Sequence, residues 1–464
     1  MNSSALEYDF LGIGFGPSNL ALAVAMEERS GARPASPRPT FAFIERKPGF
    51  VWHGGMLLED TDMQISFLKD LATLRNPKSA YTFINYLHSK GRLEAFINLK
   101  TFFPSRLEFN DYLSWVASHF VDRCHYGEEV TEVLPEPADG VVRRLRVRSR
   151  DAHGRSHERM ARNLVIGVGG EPQVPPAFAG WRDPRVLHSS GYLDRVASID
   201  AGSAPRRIAV VGGGQSAAEV FMDLVRRFPG SQVSLVMRGG ALKPSDDSPF
   251  VNEIFSPGFT DYIYGRPLDQ RRQLLREYRN TNYSVVDLDL IERIYQLFYQ
   301  QKVTGEARHA LLTMREVDQA AAQDDGIVCA LRERTGGGIE RHVFDMVVLA
   351  TGYCRDAHER VLAPLAPLLS GAFHVDRHYR LHTSALCLPQ IFLQGSCEDS
   401  HGLSDTLLSV LSMRSQEIAE AMFCPADEAP RRAERDTGPV RERDAMLLDA
   451  AMDAAGAGPL GARR

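Results

Sequence analysis

Tyr8-Asp9-Phe10-Leu11-Gly12-Ile13-Gly14-Phe15-Gly16-Pro17-Ser18-Asn19 is the stretch that decides the fold. An apolar run enters a Gly-x-Gly-x-Gly turn, and a helix-like run follows over Leu20–Glu28. Glycines there permit a sharp strand-to-helix reversal and let the backbone approach a pyrophosphate. The free amides and positive end of the helix then hold that pyrophosphate. Residues 30–39 are rich in Pro and Gly and read as a loop. A second strand, Thr40–Ile44, ends at Glu45, 31 positions after Gly14. The usual spacing is about 20, and the proline-rich loop accounts for the excess. A carboxylate at that strand end accepts hydrogen bonds from a ribose diol.

The pattern recurs 200 positions on, from Gly12 to Gly212. Arg207–Val211 reads as a strand and Gly212-Gly213-Gly214-Gln215-Ser216-Ala217 as its turn. The next helix stops near Phe228, before Pro229-Gly230. The following strand, Gln232–Met237, ends on Arg238 rather than on an acid. A guanidinium matches a ribose 2′-phosphate through forked hydrogen bonds. A solvated strand-end Arg is the plainer alternative, and Lys243 suits either. Two such units, one ending on a ribose-reading Glu and one on a phosphate-reading Arg, predict FAD plus NADPH.

The expected fold is α/β, with two Rossmann-like dinucleotide-binding domains and a small substrate-binding region. Val165–Gly170 with Pro172 reads as the way out of the FAD domain, and Asp345–Tyr353 as the way back. Residues 1–200 and 341–424 are then the FAD domain, split by an NADPH domain over 201–340 to which 240–300 adds substrate contacts. Val343–Ala350 and Gln390–Gln394 read as strands and Leu407–Met422 as a helix. Residues 425–464 lack aromatics and read as a mobile or weakly helical tail.

Composition agrees. The 464 residues are 44% hydrophobic and 24% charged, ordinary globular usage. A net charge of −5 gives no basic field for nucleic acid. No apolar run reaches the roughly 18 residues of a membrane span, and Met1–Tyr8 has no secretory character. Cys124, Cys329, Cys354, Cys387, Cys397 and Cys424 contain no Cys-x-x-Cys. Reduced thiols in a cytoplasmic protein without a metal are therefore expected.

Four segments carry a family resemblance: Gly12–Asn19 with its Pro-Ser-Asn ending, Gly212–Ala217, Asp345–Tyr353, and Leu403-Ser404-Asp405-Thr406-Leu407-Leu408-Ser409. Over roughly 7–423 the chain resembles the N-hydroxylating flavoprotein monooxygenases of siderophore biosynthesis, most closely the L-ornithine N-delta-monooxygenases. The resemblance implies FAD contacts from Gly12, Gly14, Gly16, Pro17, Ser18, Asn19, Glu45, Lys47, Trp52, His53, Gln64, Val130, Thr406, Leu407 and Leu408. It implies NADPH contacts from Gly212, Gly213, Gly214, Gln215, Ser216, Arg238, Asn282 and Tyr283. It implies substrate contacts from Lys69, Asn252, Glu253, Ile254, Phe255, Asn282 and Ser409, with Asn282 and Ser409 positioning the reacting groups. Thr406 stands where the family usually has Ser, so a hydroxyl is kept. Seven residues, not three, separate Gly180 from His188, which weakens a ketone-oxidising reading.

The implied reaction is N-hydroxylation of the L-ornithine side-chain amine with O2, through a hydroperoxide on the reduced flavin. No acid/base pair or nucleophile triad is visible, as expected where a cofactor carries the chemistry. Lysine and then putrescine follow ornithine as substrates, because a diamine leaves Lys69 without a carboxylate. The rivals are an FAD/NADPH disulfide reductase or ferredoxin reductase, the first of which the scattered cysteines disfavour, and a flavin-binding sensor, which has no need of an amino-acid site. The family likeness also implies a homotetramer.

Overall fold

The computed structural model describes residues 6–32, 38–200 and 204–423. Part of the 30–39 loop, Cys424 and the expected tail at 425–464 lie outside them. The chain builds two large sheets. The first runs in the order Cys124–Tyr126, Phe41–Glu45, Glu7–Ile13, Ser156–Ile166, Val141–Asp151, Glu128–Ala138. The first four strands are parallel, and the last three form an antiparallel meander. Ile391–Leu393 adds in parallel to the end of Ser156–Ile166. Within these strands Phe10–Ile13, Phe41–Ile44, Leu164–Ile166 and Ile391–Leu393 are continuous buried runs, as segments covered on both faces must be. The helix Pro17–Ala32 packs its Leu20–Met26 segment into the same core.

The second sheet is all parallel, in the order Ala310–Leu312, Gln232–Val236, Arg207–Val211, Met346–Leu349, Val186–His188. A three-stranded antiparallel sheet, Arg315–Gln323, Gly326–Glu333 and Ile339–Phe344, packs beside it. Four helices, Pro249–Asn252, Pro257–Tyr264, Leu268–Asn282 and Leu288–Thr304, fill the 240–300 region.

These sheets move the expected boundaries. Val186–His188 lies within the segment 1–200, yet it is an edge strand of the second sheet. Met346–Leu349 lies after residue 341, yet it sits in the middle of that sheet. Glu171–Pro172 and Tyr353–Cys354, at the ends of the two expected crossings, pair with each other. The expected strand Val343–Ala350 is two strands broken at Asp345, whose carboxylate accepts the Arg206 and Arg207 N–H groups and pairs with the Arg207 guanidinium. The helix expected from Leu407 begins at Leu411. The Asp405 and Thr406 side chains ahead of it are engaged in hydrogen bonds that compete with a helix.

Candidate functional site

The first turn is held from inside. A Cβ on Gly14, at φ 82°, would stand 2.4 Å from the Gly167 carbonyl oxygen. The Asn19 side chain, 0% exposed, donates to the Ile13 and Gly14 carbonyls and accepts from Gln394. It therefore shapes the turn from behind and presents no side-chain group to a ligand, contrary to the expected contact. Gly16 faces open space, with nothing within 4 Å of a Cβ there. A pyrophosphate fits over that glycine, at the start of the helix Pro17–Ala32. Glu45 Oε2 accepts the Phe15 N–H at 2.7 Å and Oε1 the Lys47 N–H at 3.0 Å. Each oxygen keeps a lone pair for a ribose hydroxyl.

Around this turn, Lys47 Nζ donates to the Val51 carbonyl, and the Trp52 N–H to Asn110. Trp52 packs on Phe109, and Val130 against the main core. His53 stands in the left-handed region at φ 50°. Its ring reaches solvent, yet the protein around it, then the cations Arg106, Lys47 and Arg355, push its pKa down to about 4. Its neighbour Tyr353 also meets His188, whose ring bonds the Gly352 carbonyl.

The C-terminal loop closes the same region. Arg414, 1% exposed, pairs with Asp405 at 2.9 Å and donates to Ser18 at 2.9 Å. Asp405 also accepts the Cys397 N–H. Sequence reasoning missed Arg414. The readable signal is an Arg on the helix face shared with Leu411, Ser415 and Ile418, all buried. Ser409 is buried, and Leu407 and Leu408 are half-buried. Thr406 lies 3.3 Å from the Tyr283 hydroxyl, which donates to Glu398 at 2.5 Å. Burial, then Glu398, pushes the Tyr283 pKa up to about 12. Asn282 is the last residue of its helix, half-buried beside Tyr283.

The second turn is looser. Gly212 abuts the Ala350 carbonyl, but Gly213 and Gly214 have no neighbour closer than 3.3 Å to a Cβ. Gln215 does not face the open turn. Its amide donates to Glu219 and Asp287, both at 2.8 Å, and its oxygen accepts the Asp287 N–H. Ser216 opens the same helix, half-buried. Arg238 is exposed, and among the described residues its guanidinium has no hydrogen bond or ion pair.

One polar chain joins the two units. Gln64, expected at the flavin, donates to Asp287 at 2.8 Å. Arg106 makes two bonds to Glu219, at 2.6 and 2.8 Å, both side chains largely buried. Burial raises the Glu219 pKa, and Arg106 opposes that rise. The residues come from both sides of the cleft, so the chain fixes one turn against the other.

The Lys69 ammonium lies within electrostatic reach of the Glu253 carboxylate. Lys69 is half-buried, and among the described residues its ammonium has no hydrogen bond. Burial lowers its pKa, and the nearby Glu253 carboxylate opposes this. Asn252 is exposed and donates to the Asp247 carbonyl. Ile254 and Phe255, expected at the substrate, are buried. They pack with Phe259, Ile263, Leu274 and Leu403 in a core that joins the helices to the C-terminal loop. Short apolar residues beside a polar motif read alike in sequence whether they face ligand or core.

Among the described residues no group of His, Cys, Asp or Glu is placed to hold a metal. No helix there is long and apolar enough to cross a membrane.

The chain matches the model of the L-lysine 6-monooxygenase/L-ornithine 5-monooxygenase family over residues 7–355. It is 55% identical to the L-ornithine N(5)-monooxygenase of Burkholderia cepacia over 403 residues, 85% of this chain and 90% of that one. Its fold matches the ornithine hydroxylase of Pseudomonas aeruginosa with a TM-score of 0.85 and 50% identity, covering 90% of this chain and 99% of that one. The Kutzneria sp. 744 ornithine N-hydroxylase, solved with reduced FAD, NADP+ and L-ornithine, matches with a TM-score of 0.83 and 38% identity. That match covers 90% of this chain and 99% of that one.

Proposed function

The chain belongs to the lysine 6-monooxygenase/ornithine 5-monooxygenase family, and from that premise we propose how its own residues hydroxylate the side-chain nitrogen of L-ornithine. The enzyme is an FAD- and NADPH-dependent monooxygenase that uses O2. Bound FAD, reduced by NADPH, supplies the oxygen-activating chemistry. The observation that supports the site assignment is the half-buried Lys69 ammonium, which makes no hydrogen bond among the described residues and lies within electrostatic reach of Glu253. An α-amino acid presents a carboxylate and an ammonium on one carbon. Lys69 takes the carboxylate, and Glu253 with the Asn252 carbonyl takes the ammonium.

The reacting nitrogen must carry a free lone pair. An alkylammonium has a pKa near 10.4, so a neutral amine is scarce in water at pH 7. A poorly hydrated site favours the neutral form. The apolar cluster of Ile254, Phe255 and Leu403 backs this region and keeps water out. Asn282 and Ser409 hold the amine end and the nicotinamide ribose in register. Glu45 holds the FAD ribose and the Gly16 turn its pyrophosphate, while Gly212–Gly214 and Arg238 hold NADPH. A homotetramer in the cytoplasm serving siderophore biosynthesis completes the proposal, on family likeness.

The test is product formation on purified, FAD-loaded protein with NADPH and L-ornithine, L-lysine or putrescine. Hydroxylamine from ornithine is expected, with little from the others. One methylene discriminates by only about 1–3 kcal/mol, so some lysine turnover fits. Peroxide alone, with no amine giving product, would overturn the reading. Lys69→Met should raise the ornithine KM by roughly 30-fold or more, the cost of an unpaired substrate carboxylate. Flavin reduction by NADPH should continue.

A further inference from the structure

The three-stranded antiparallel sheet has no part in the site described so far. Yet its end is hydrogen-bonded to the loop that carries Arg238. The Arg315 N–H donates to the Met237 carbonyl at 3.0 Å, and the Met314 N–H to the Gly239 carbonyl at 3.1 Å. The Arg334 N–H, at the far end of the neighbouring strand, donates to the Met314 carbonyl at 3.1 Å. Arg334 Nη1 then donates to the Arg238 carbonyl at 3.3 Å. The Arg334 guanidinium thus lies against the same short loop from which Arg238 projects. The acid beside Arg334 is Glu316, with Oε2 3.9 Å from Nε, an ion-pair contact beyond hydrogen-bond reach.

We propose that Arg334 is the second cation of the 2′-phosphate site, so that the antiparallel sheet helps the enzyme choose NADPH over NADH. The proposal rests on the assignment of NADPH to the second turn. With the pyrophosphate over Gly212–Gly214, the adenine-side ribose lies at the end of the strand Gln232–Val236, where Arg238 stands. A phosphate monoester carries about −1.5 to −2 charges at neutral pH. One guanidinium leaves much of that charge unbalanced. Arg334 has five N–H donors, of which the Arg238 carbonyl engages one. Among the described residues the others make no hydrogen bond, and only the long Glu316 contact at Nε competes, so they can take the phosphate oxygens that Arg238 does not. Glu316 competes weakly for the same cation while the site waits.

The experiment is calorimetric titration of the FAD-loaded enzyme with adenosine 2′,5′-bisphosphate and with 5′-AMP, which differ only in the 2′-phosphate. Arg334→Gln should weaken the bisphosphate roughly 10-fold, the scale of one charge-assisted bond, and leave 5′-AMP within two-fold. Glu316→Gln, which removes the competing acid, should tighten the bisphosphate about two- to three-fold by the same exposed-pair scale. Equal weakening of both ligands by Arg334→Gln, or no weakening of the bisphosphate, overturns the role of Arg334. Failure of the unsubstituted enzyme to prefer the bisphosphate overturns the NADPH assignment of the site itself, and the proposal with it.

Discussion

The two glycine turns share a sequence pattern and differ in how they are held. At the first, Gly12 and Gly14 press against Phe43 and the Gly167 carbonyl, and Asn19, Glu45 and Arg414 tie the turn to buried partners. At the second, only Gly212 is tightly confined, and Arg238 stands free at the surface. One turn is a finished socket whose groups are already oriented. The other is open, with cations waiting. The first turn is therefore preorganised for its ligand, whereas the second leaves more to be ordered on binding. The lesson is that a motif says what class of ligand fits, and its surroundings say how far the site is ordered in advance.

The sharpest way to break the comparison is one added methyl group. Gly14→Ala combines a positive φ with overlap onto a backbone carbonyl, and should cost about 3–5 kcal/mol. FAD content and melting temperature are the readouts, and a variant that keeps both would refute the finished-socket description. Acid should loosen the same unit next. His401 is fully buried, and its pKa is pushed down to about 4, by burial above all. Its folded pKa lies below the unfolded value near 6.5. Its stabilising effect is therefore full above about pH 6.5 and is lost as pH falls toward 4, by roughly 3 kcal/mol in all. Melting curves with FAD release, taken from pH 7 to 4.5, test this; a flat profile contradicts it.

Smaller effects probe the seam and the open turn. Arg106→Gln leaves the buried Glu219 with a weaker partner, and should cost about 2–3 kcal/mol. It should also raise the KM for NADPH while bound FAD is retained; unchanged NADPH binding would show that the polar chain does not hold the second turn. Arg238→Ala should weaken NADPH by roughly 10-fold, about 1.5 kcal/mol, and leave NADH alone. Smallest of all, Gly214→Ala should cost under about 1 kcal/mol, because its nearest neighbour would be 3.6 Å away. If it matched Gly14→Ala, the contrast between the turns would collapse.

Both strand–turn–helix units were legible because each is local, with its glycines, helix and second strand within 40 residues. What sequence did not show is long-range. Val186–His188 and Met346–Leu349 are short apolar strands with nothing in them to say which sheet they join. Gln64 and Gln215 were read as ligand contacts, and their partner Asp287 lies 223 and 72 positions away. Asn19 sits at the turn, where its side chain serves the rear and bonds Gln394, 375 positions away. Lys69, Glu253 and Arg238 are named by the family resemblance as residue types, and their spacing does not say which charges they meet in the fold. The depth that would separate ornithine from lysine is set by packing, which no spacing encodes.

The partners of the first turn also set a schedule for synthesis. Gly14 and Ser18 emerge from the ribosome early, but Gln394 and Arg414 follow by nearly the whole described chain. At roughly 5–20 residues per second, that delay is about 20–80 s. Through that interval the Ser156–Ile166 strand lacks its Ile391–Leu393 neighbour, and the flavin socket cannot close. Nascent chains cut before Gln394 would thus hold the second sheet's nucleotide turn before the flavin socket closes.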